Sequence, residues 1–543
     1  MKRTTLLSAL LLAALAALAL AFRLPRLDAR PMHPDEAVQA YKTVLLYETG
    51  DYHYDPQEHH GPSLYYLGLI PIRLLAKGDA SVAGDATLRI VPALFGAGLV
   101  LLLWTLRDGL GRAASLAAAL LAAVSPAMVF YSRYYIQEML LVFFTLLTIA
   151  AGWRYVRTRR VGWALLAGLG AGLMYATKET CVIAYAAMAG ALGLVWLIGR
   201  RRRAAEPAAE PLVRGRDVAG AVAVAVLVAL ALYTSFFTNL SGPLDSLRSY
   251  AYLVSRGHEG GVHNHPWHYY LGTLLCTVDG EWPGWRAVAH LATHPRAPVG
   301  PVWTEALILA LALVGAVAAF ARRGVRGADV ALLRLLVFYT VLAAAIYSAI
   351  PYKTPWCMLS FLAGMILLAG VGAVALVRWA RWRPLQVALA AALLAGAVHL
   401  GLEARRAAFR FAADARNPYA YAQTYPDVFR VLDRLRQLRA VAGDRLAVKI
   451  ISDENYWPLP WYLRSGWNVG WWDVPPADAD APVVITTGGS LAAVEARLRG
   501  RYVQGMYGLR PGVMIIVAVR QDLWDAFMAR RGSGAGASEG AGP

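Results

Sequence analysis

The chain has 543 residues, 58% of them hydrophobic and 16% charged, with 53 Lys and Arg against 35 Asp and Glu for a net charge of +18. Soluble domains run near ~45–50% apolar and ~25% charged, so this composition excludes an ordinary soluble protein. The basic excess sits between apolar blocks instead of striping soluble elements, which points away from nucleic acid and toward orientation in a lipid bilayer. Cys181, Cys276 and Cys357 are too scattered for a disulfide framework or a zinc-ligand spacing.

A bilayer core takes about 20 apolar helical residues. Eleven blocks qualify, at residues 4–22, 87–106, 112–131, 137–156, 161–177, 180–199, 217–238, 302–321, 330–350, 356–377 and 384–402. The expected fold class is therefore a polytopic α-helical membrane protein of about 11 transmembrane helices. Ala19-Leu20-Ala21 resembles a signal-peptide cleavage site, but the first block is long and the later spans fit only if it stays. With the N-terminus in the cytoplasm, the arginine clusters at 107–112, 154–160, 200–216, 321–326 and 378–383 all fall inside, as the positive-inside rule requires. An odd span count then puts the C-terminal region outside the cytoplasmic membrane.

The transmembrane domain occupies 1–402, with a first outer loop at 23–86 and a second large outer loop at 239–301. Within the first loop, 61–76 is too interrupted to span and reads as an amphipathic piece on the membrane surface. Strand-like runs at 446–452, 482–487 and 512–519 alternate with helical stretches, predicting a small extracytoplasmic α/β domain over 403–530. Residues 531–543 have the composition of a disordered tail. The 403–530 domain also carries five tryptophans at 457, 461, 467, 471 and 472, suited either to stacking on sugars or to packing the domain down.

Candidate chemistry gathers at the outer mouths of several spans. Asp35 and Glu36 follow Pro34 just beyond the first span, where carboxylates also serve as plain helix caps. Arg89, Arg133, Glu138, Lys178, Glu179 and Lys353 lie at matching depth. Any one of them could be snorkelling, but charge near hydrocarbon tends to face a cavity or a partner. Carboxylates can take a proton from a nucleophile and cations can hold phosphate oxygens, so the combination suits transfer from a phosphate-bearing lipid. Histidines are also concentrated outside, among them His33, His53, His59, His60, His258, His263, His265 and His268. Their spacing matches no defined metal motif, and interfacial hydrogen bonding explains them equally well.

In order, HPDEA (33–37), HGPSLYY (60–66), SRYYIQE (132–138), KET (178–180), HPWHYYL (265–271), KTPW (353–356) and RNPYAYAQT (416–424) resemble the GT-C superfamily of membrane glycosyltransferases. The resemblance extends to protein O-mannosyltransferases and the lipid A aminoarabinose transferase, and more narrowly to a flippase-associated membrane family of archaea and bacteria. It implies a sugar donor carried on a polyprenyl phosphate, used at the outer face by inverting displacement. Carried onto this chain, it implies Asp35 as general base with Glu36 second, and Glu138 as a second acidic residue of the site. Arg133, Lys178, Lys353 and Arg89 would hold the donor phosphate, with His33, His60, Tyr65, His265, Trp267 and Trp356 lining the substrate. Metal use differs among such enzymes, so a divalent cation stays open, as does the choice among protein, lipid and glycan acceptors. The rival expectation is a flippase or flippase accessory for lipid-linked saccharides. Such transporters break their spans at midplane and show paired repeats; here the charges collect at the outer mouth.

Overall fold

The computed structural model describes residues 2–57, 60–203, 213–256, 263–279, 281–282, 301–444 and 446–538. His59, His258 and much of the second large outer loop lie outside the described residues.

Each of the eleven apolar blocks is helical. Among the described residues eight helices are long and apolar enough to cross a membrane, including α1 at its full apolar stretch Thr5–Arg23, Asp85–Leu110, Glu138–Thr158 and Pro355–Trp379. Three further blocks form shorter apolar helices, Arg112–Val124, Val161–Tyr175 and Ala306–Ala321. The first of these stops because Ser125 and Pro126 start a new helix, Pro126–Tyr131, with Ser125 as its N-cap. The fourth short apolar helix, Ser63–Leu75, is the stretch read as lying on the membrane surface; Ile70, Leu74 and Leu75 on it are exposed.

Helix Leu359–Trp379 lies at the centre, packed on Ala306–Ala321, Arg112–Val124 and Val330–Ala349. Small residues let these backbones meet: a Cβ on Gly372 would stand 1.9 Å from the Leu311 carbonyl oxygen. Close approach of this kind replaces the hydrophobic drive that lipid cannot supply between helices.

Strands β1 (Thr277–Val278) and β2 (Val302–Trp303) form a short antiparallel ladder in the second large outer loop. The C-terminal region builds a five-stranded mixed sheet from β3 (Ala447–Ile451), β4 (Asn468–Trp472), β5 (Val483–Thr487), β6 (Tyr502–Arg510) and β7 (Val513–Arg520), in the order β4-β3-β5-β7-β6. The first three run parallel, and β7 is antiparallel to both β5 and β6. Val483 and Ile485 face the helix Asp427–Ala442, while Val484 faces Val494 of Gly488–Glu495, so alternate side chains feed two apolar layers. The last helix, Gln521–Ser538, continues past residue 531, where composition alone predicts disorder.

Candidate active site

The first outer loop is organised from α2 (Pro34–Thr49). Pro34 opens the helix with a preset φ. His33 is the N-cap: its Nδ1 accepts from the Asp35 amide at 3.1 Å, and its own amide donates to Glu36 Oε2 at 2.9 Å. This reciprocal pair is a capping box in which an imidazole replaces the usual hydroxyl.

Adjacent carboxylates in this first turn meet opposite environments. Glu36 is completely buried and receives Arg30 Nη1 at 2.6 Å, Arg89 Nε at 2.8 Å, Arg89 Nη2 at 2.9 Å and the Tyr135 amide at 2.8 Å. Burial would push its pKa up, but the two guanidiniums hold it far below the usual carboxylate range. Asp35, by contrast, keeps 48% of its side chain exposed, 3.9 Å from the His33 ring. One carboxylate is locked and the other is open.

The cations expected to bind phosphate are largely occupied by protein acceptors. Fully buried Arg89 also donates to the carbonyls of Leu27 at 2.6 Å, Arg30 at 3.0 Å and Pro31 at 3.2 Å. Arg133 donates to Arg23 and Pro25 carbonyls at 2.8 Å and to that of Arg26 at 2.9 Å, closing off the end of α1. Burial, with Arg30, Arg89, Arg26 and Arg23 nearby, pushes the Arg133 guanidinium down to about 9. This geometry makes both arginines braces of the 24–31 loop. Arg30, which the sequence did not single out, is a third brace, stacked 3.6 Å over the Tyr134 ring.

Lys178 forms a buried ion pair with Glu138 at the start of Glu138–Thr158. Burial opposes its charge, yet Glu138, helped by Cys357 and Glu179, raises the lysine above its ordinary value. Lys353 Nζ donates to the His265 carbonyl at 3.0 Å and to that of Ile350, while its amide donates to His263 at 2.9 Å. These bonds stitch the KTPW and HPWHYYL motifs together. Trp356, on the same turn, sits 5.6 Å from His33 and 6.1 Å from Tyr421. The 353–357 turn therefore meets the His33–Asp35 cap through Trp356, and its Cys357 acts electrostatically on Lys178.

The remaining expected residues divide. His265 and Trp356 join this cluster; Trp267 is 67% exposed. His60 pairs with Glu179 at 3.3 Å, and Tyr65 is buried with its hydroxyl on Gln39. Both belong to a tyrosine-rich layer with Tyr52, Tyr54 and Tyr233. There the HGPS turn docks so tightly on the KET turn that a Cβ on Gly61 would lie 2.3 Å from the Ala176 carbonyl oxygen.

The sequence marked RNPYAYAQT and the tryptophan cluster of the C-terminal region but not what they hold. Trp461 Nε1 and the Tyr462 hydroxyl each donate to Asp85 at 2.7 Å, and the Met32 amide donates to the Tyr462 oxygen at 2.8 Å. From RNPYAYAQT, Thr424 donates to the Met32 carbonyl at 2.7 Å and Gln423 to that of Pro31 at 3.2 Å. Two of the tail tryptophans thus pack against the first outer loop: Trp461 through Asp85, and Trp457 against Tyr41 at 5.8 Å. Only their density in the sequence could have drawn notice to them.

The His33 cap requires an unprotonated Nδ1, and burial lowers the ring's pKa from 6.5. The folded ring thus takes up a proton less readily than the unfolded one. Its stabilising contribution is complete above pH 6.5 and is lost as pH falls below that value toward the folded pKa. His33→Asn, which caps without titrating, should melt with a shallower acid-side dependence than the wild type. Equal slopes in pH-dependent thermal melts would refute this role.

A family model described as dolichyl-phosphate-mannose-protein mannosyltransferase matches residues 13–208. The structure is similar to that of ArnT from Cupriavidus metallidurans bound to undecaprenyl phosphate, at 14% identity and a TM-score of 0.58, covering 94% of this chain and 98% of that one. It is also similar to the archaeal oligosaccharyltransferase AglB from Archaeoglobus fulgidus in complex with an inhibitory peptide and a dolichol-phosphate, at 14% identity and a TM-score of 0.51, covering 96% and 77%. The chain has the GT-C membrane glycosyltransferase fold. No curated protein sequence matches it. The matched family and these structures are of glycosyltransferases or oligosaccharyltransferases, and its helices long and apolar enough to cross a bilayer make this chain an integral membrane protein. HPDEA, HGPSLYY, SRYYIQE and KET lie within the family match, while KTPW and RNPYAYAQT lie beyond it.

Proposed function

We propose that this protein moves a sugar from a polyprenyl-phosphate donor to an acceptor hydroxyl at the outer face of the cytoplasmic membrane, with inversion. The N-terminus lies inside and the C-terminal domain outside. The observation that carries this reading is the contrast between the locked Glu36 and the open Asp35 on one helical turn. Asp35 accepts the acceptor's proton as the hydroxyl oxygen attacks the anomeric carbon. The bond from that carbon to the phosphate oxygen breaks, and polyprenyl phosphate leaves with the electron pair. Lys178 turns the N–H bonds that Glu138 does not use, and Lys353 turns from its carbonyl acceptors, to the donor phosphate, and both stabilise the charge that develops on it. Glu138 holds Lys178 in place, and Arg89 and Arg133 act by bracing the loop that presents Asp35.

The lipid phosphates in the ArnT and AglB structures favour this donor class. One relative of the same fold, the Archaeoglobus fulgidus oligosaccharyltransferase, is complexed with Zn and sulfate. Among the described residues of this chain no three His, Cys, Asp or Glu side chains gather to hold a metal ion.

Purified protein in lipid nanodiscs, given polyprenyl-phosphate sugar labelled in the sugar, should release polyprenyl phosphate as label leaves the lipid. Lys178→Ala should raise the donor concentration required. Intact donor that merely crosses the bilayer would replace this reading with that of a flippase for lipid-linked saccharides.

A further inference from the structure

A cleft of about 460 Å3 opens beside the proposed donor site, between the second large outer loop and the 415–422 segment. Its volume falls in the range of small-molecule sites. His265, Tyr269, Thr277, Glu281, Trp282 and Tyr421 are among its walls, and Pro511 of the C-terminal domain closes one side. Residues of the cleft wall touch those of the proposed site: Tyr421 meets Trp356 at 6.1 Å, and the His265 carbonyl receives Lys353 Nζ at 3.0 Å.

Two polar atoms in these walls have no hydrogen-bond partner although they are buried. One is the hydroxyl of Thr277, a residue only 2% exposed; the other is Nε2 of His265, whose ring is stacked on Tyr269 at 4.1 Å. A buried donor or acceptor without a partner is costly, and a ligand hydroxyl reaching it would remove that cost. Among the described residues the lining contains no Lys or Arg, so no permanent cation among them compensates a phosphate or carboxylate. Half-exposed Trp282, with the His268 ring 4.9 Å away, offers a flat apolar face instead. Flat aromatic faces beside unsatisfied hydroxyl and imidazole groups match a molecule that alternates C–H faces with hydroxyls.

We infer that this cleft binds the acceptor, and that the acceptor is an uncharged saccharide whose hydroxyl is delivered from the cleft toward Asp35. This rests on the transferase reading for the delivery step, whereas the binding itself does not.

The test uses the full-length protein in nanodiscs without donor, with mannobiose, cellobiose and chitobiose as probes followed by saturation-transfer NMR and tryptophan fluorescence. At least one disaccharide should bind. Trp282→Ala should weaken that binding on the order of tenfold, Trp282→Phe should largely restore it, and Thr277→Val should weaken it several-fold. Absence of binding by all three disaccharides, binding insensitive to Trp282→Ala and Thr277→Val, or binding of an uncharged Ser/Thr peptide in their place would each overturn the inference. Donor turnover without saccharide binding sinks this inference and spares the transferase reading; saccharide binding at Trp282 without any donor turnover does the reverse.

Discussion

Asp35→Asn is expected to lower sugar transfer by about 10²–10⁴-fold, the range supplied by a positioned general base, with the protein folded as before. The substitution keeps the size of the side chain and removes its capacity to take up a proton. It leaves the capping bond intact, since His33 Nδ1 receives the Asp35 backbone amide and not the side chain. It also leaves untouched the four groups on Glu36, which come from Arg30, Arg89, His33 and Tyr135. A half-exposed position away from such networks changes stability by about 0.5 kcal/mol or less. The deciding measurement is the transfer rate at saturating donor, beside the melting temperature of the same preparation. Near wild-type transfer by Asp35→Asn would remove the base assignment, and a matching fall in melting temperature would make its effect structural.

Glu36→Gln should do the opposite: damage the fold first and activity through it. Removing the charge leaves Arg30 without its counter-ion and the fully buried Arg89 with only the longer Asp85 pair at 3.9 Å. Breaking a buried pair from one side typically costs about 3–5 kcal/mol, because an uncompensated charge stays in a low-dielectric site. The loss should appear as a lowered melting temperature and poor recovery of folded protein from membranes. Glu36→Gln combined with Arg89→Met should recover part of it, though not all, because Arg89 also holds the carbonyls of Leu27, Arg30 and Pro31. A stable, inactive Glu36→Gln protein would instead place this carboxylate in the chemistry.

The contrast between these neighbours could not be read from the string HPDEA. Two consecutive acids at a helix start look alike in sequence, since both complement the helix dipole. Their difference arises because residue 36 turns toward Arg89, 53 positions away, while residue 35 turns outward. The same holds for the cations. Depth in the membrane marked Arg89, Arg133, Lys178 and Lys353 as a group, but depth does not say which carbonyls or carboxylates each one meets. Arg133 is occupied by the chain end of α1, Lys178 by Glu138, and Lys353 by the loop of His265. Asp85 and Tyr462 gave no local signal, and for Gln423, Thr424 and Trp461 the sequence marked the segment but not the partner, because each acts through a partner hundreds of residues away.

Hydrophobic block length, arginine placement and the change to alternating short strands were enough to establish the helical membrane body and its small α/β appendage. Those features are local and periodic: burying one face or spanning one bilayer demands the same pattern wherever it occurs. The identity of the open carboxylate, the pairing of each cation and the cleft beside Tyr421 depended on tertiary structure. Charge pairing and desolvation are set by which distant side chains come within a few ångströms, and no spacing along the chain encodes that distance.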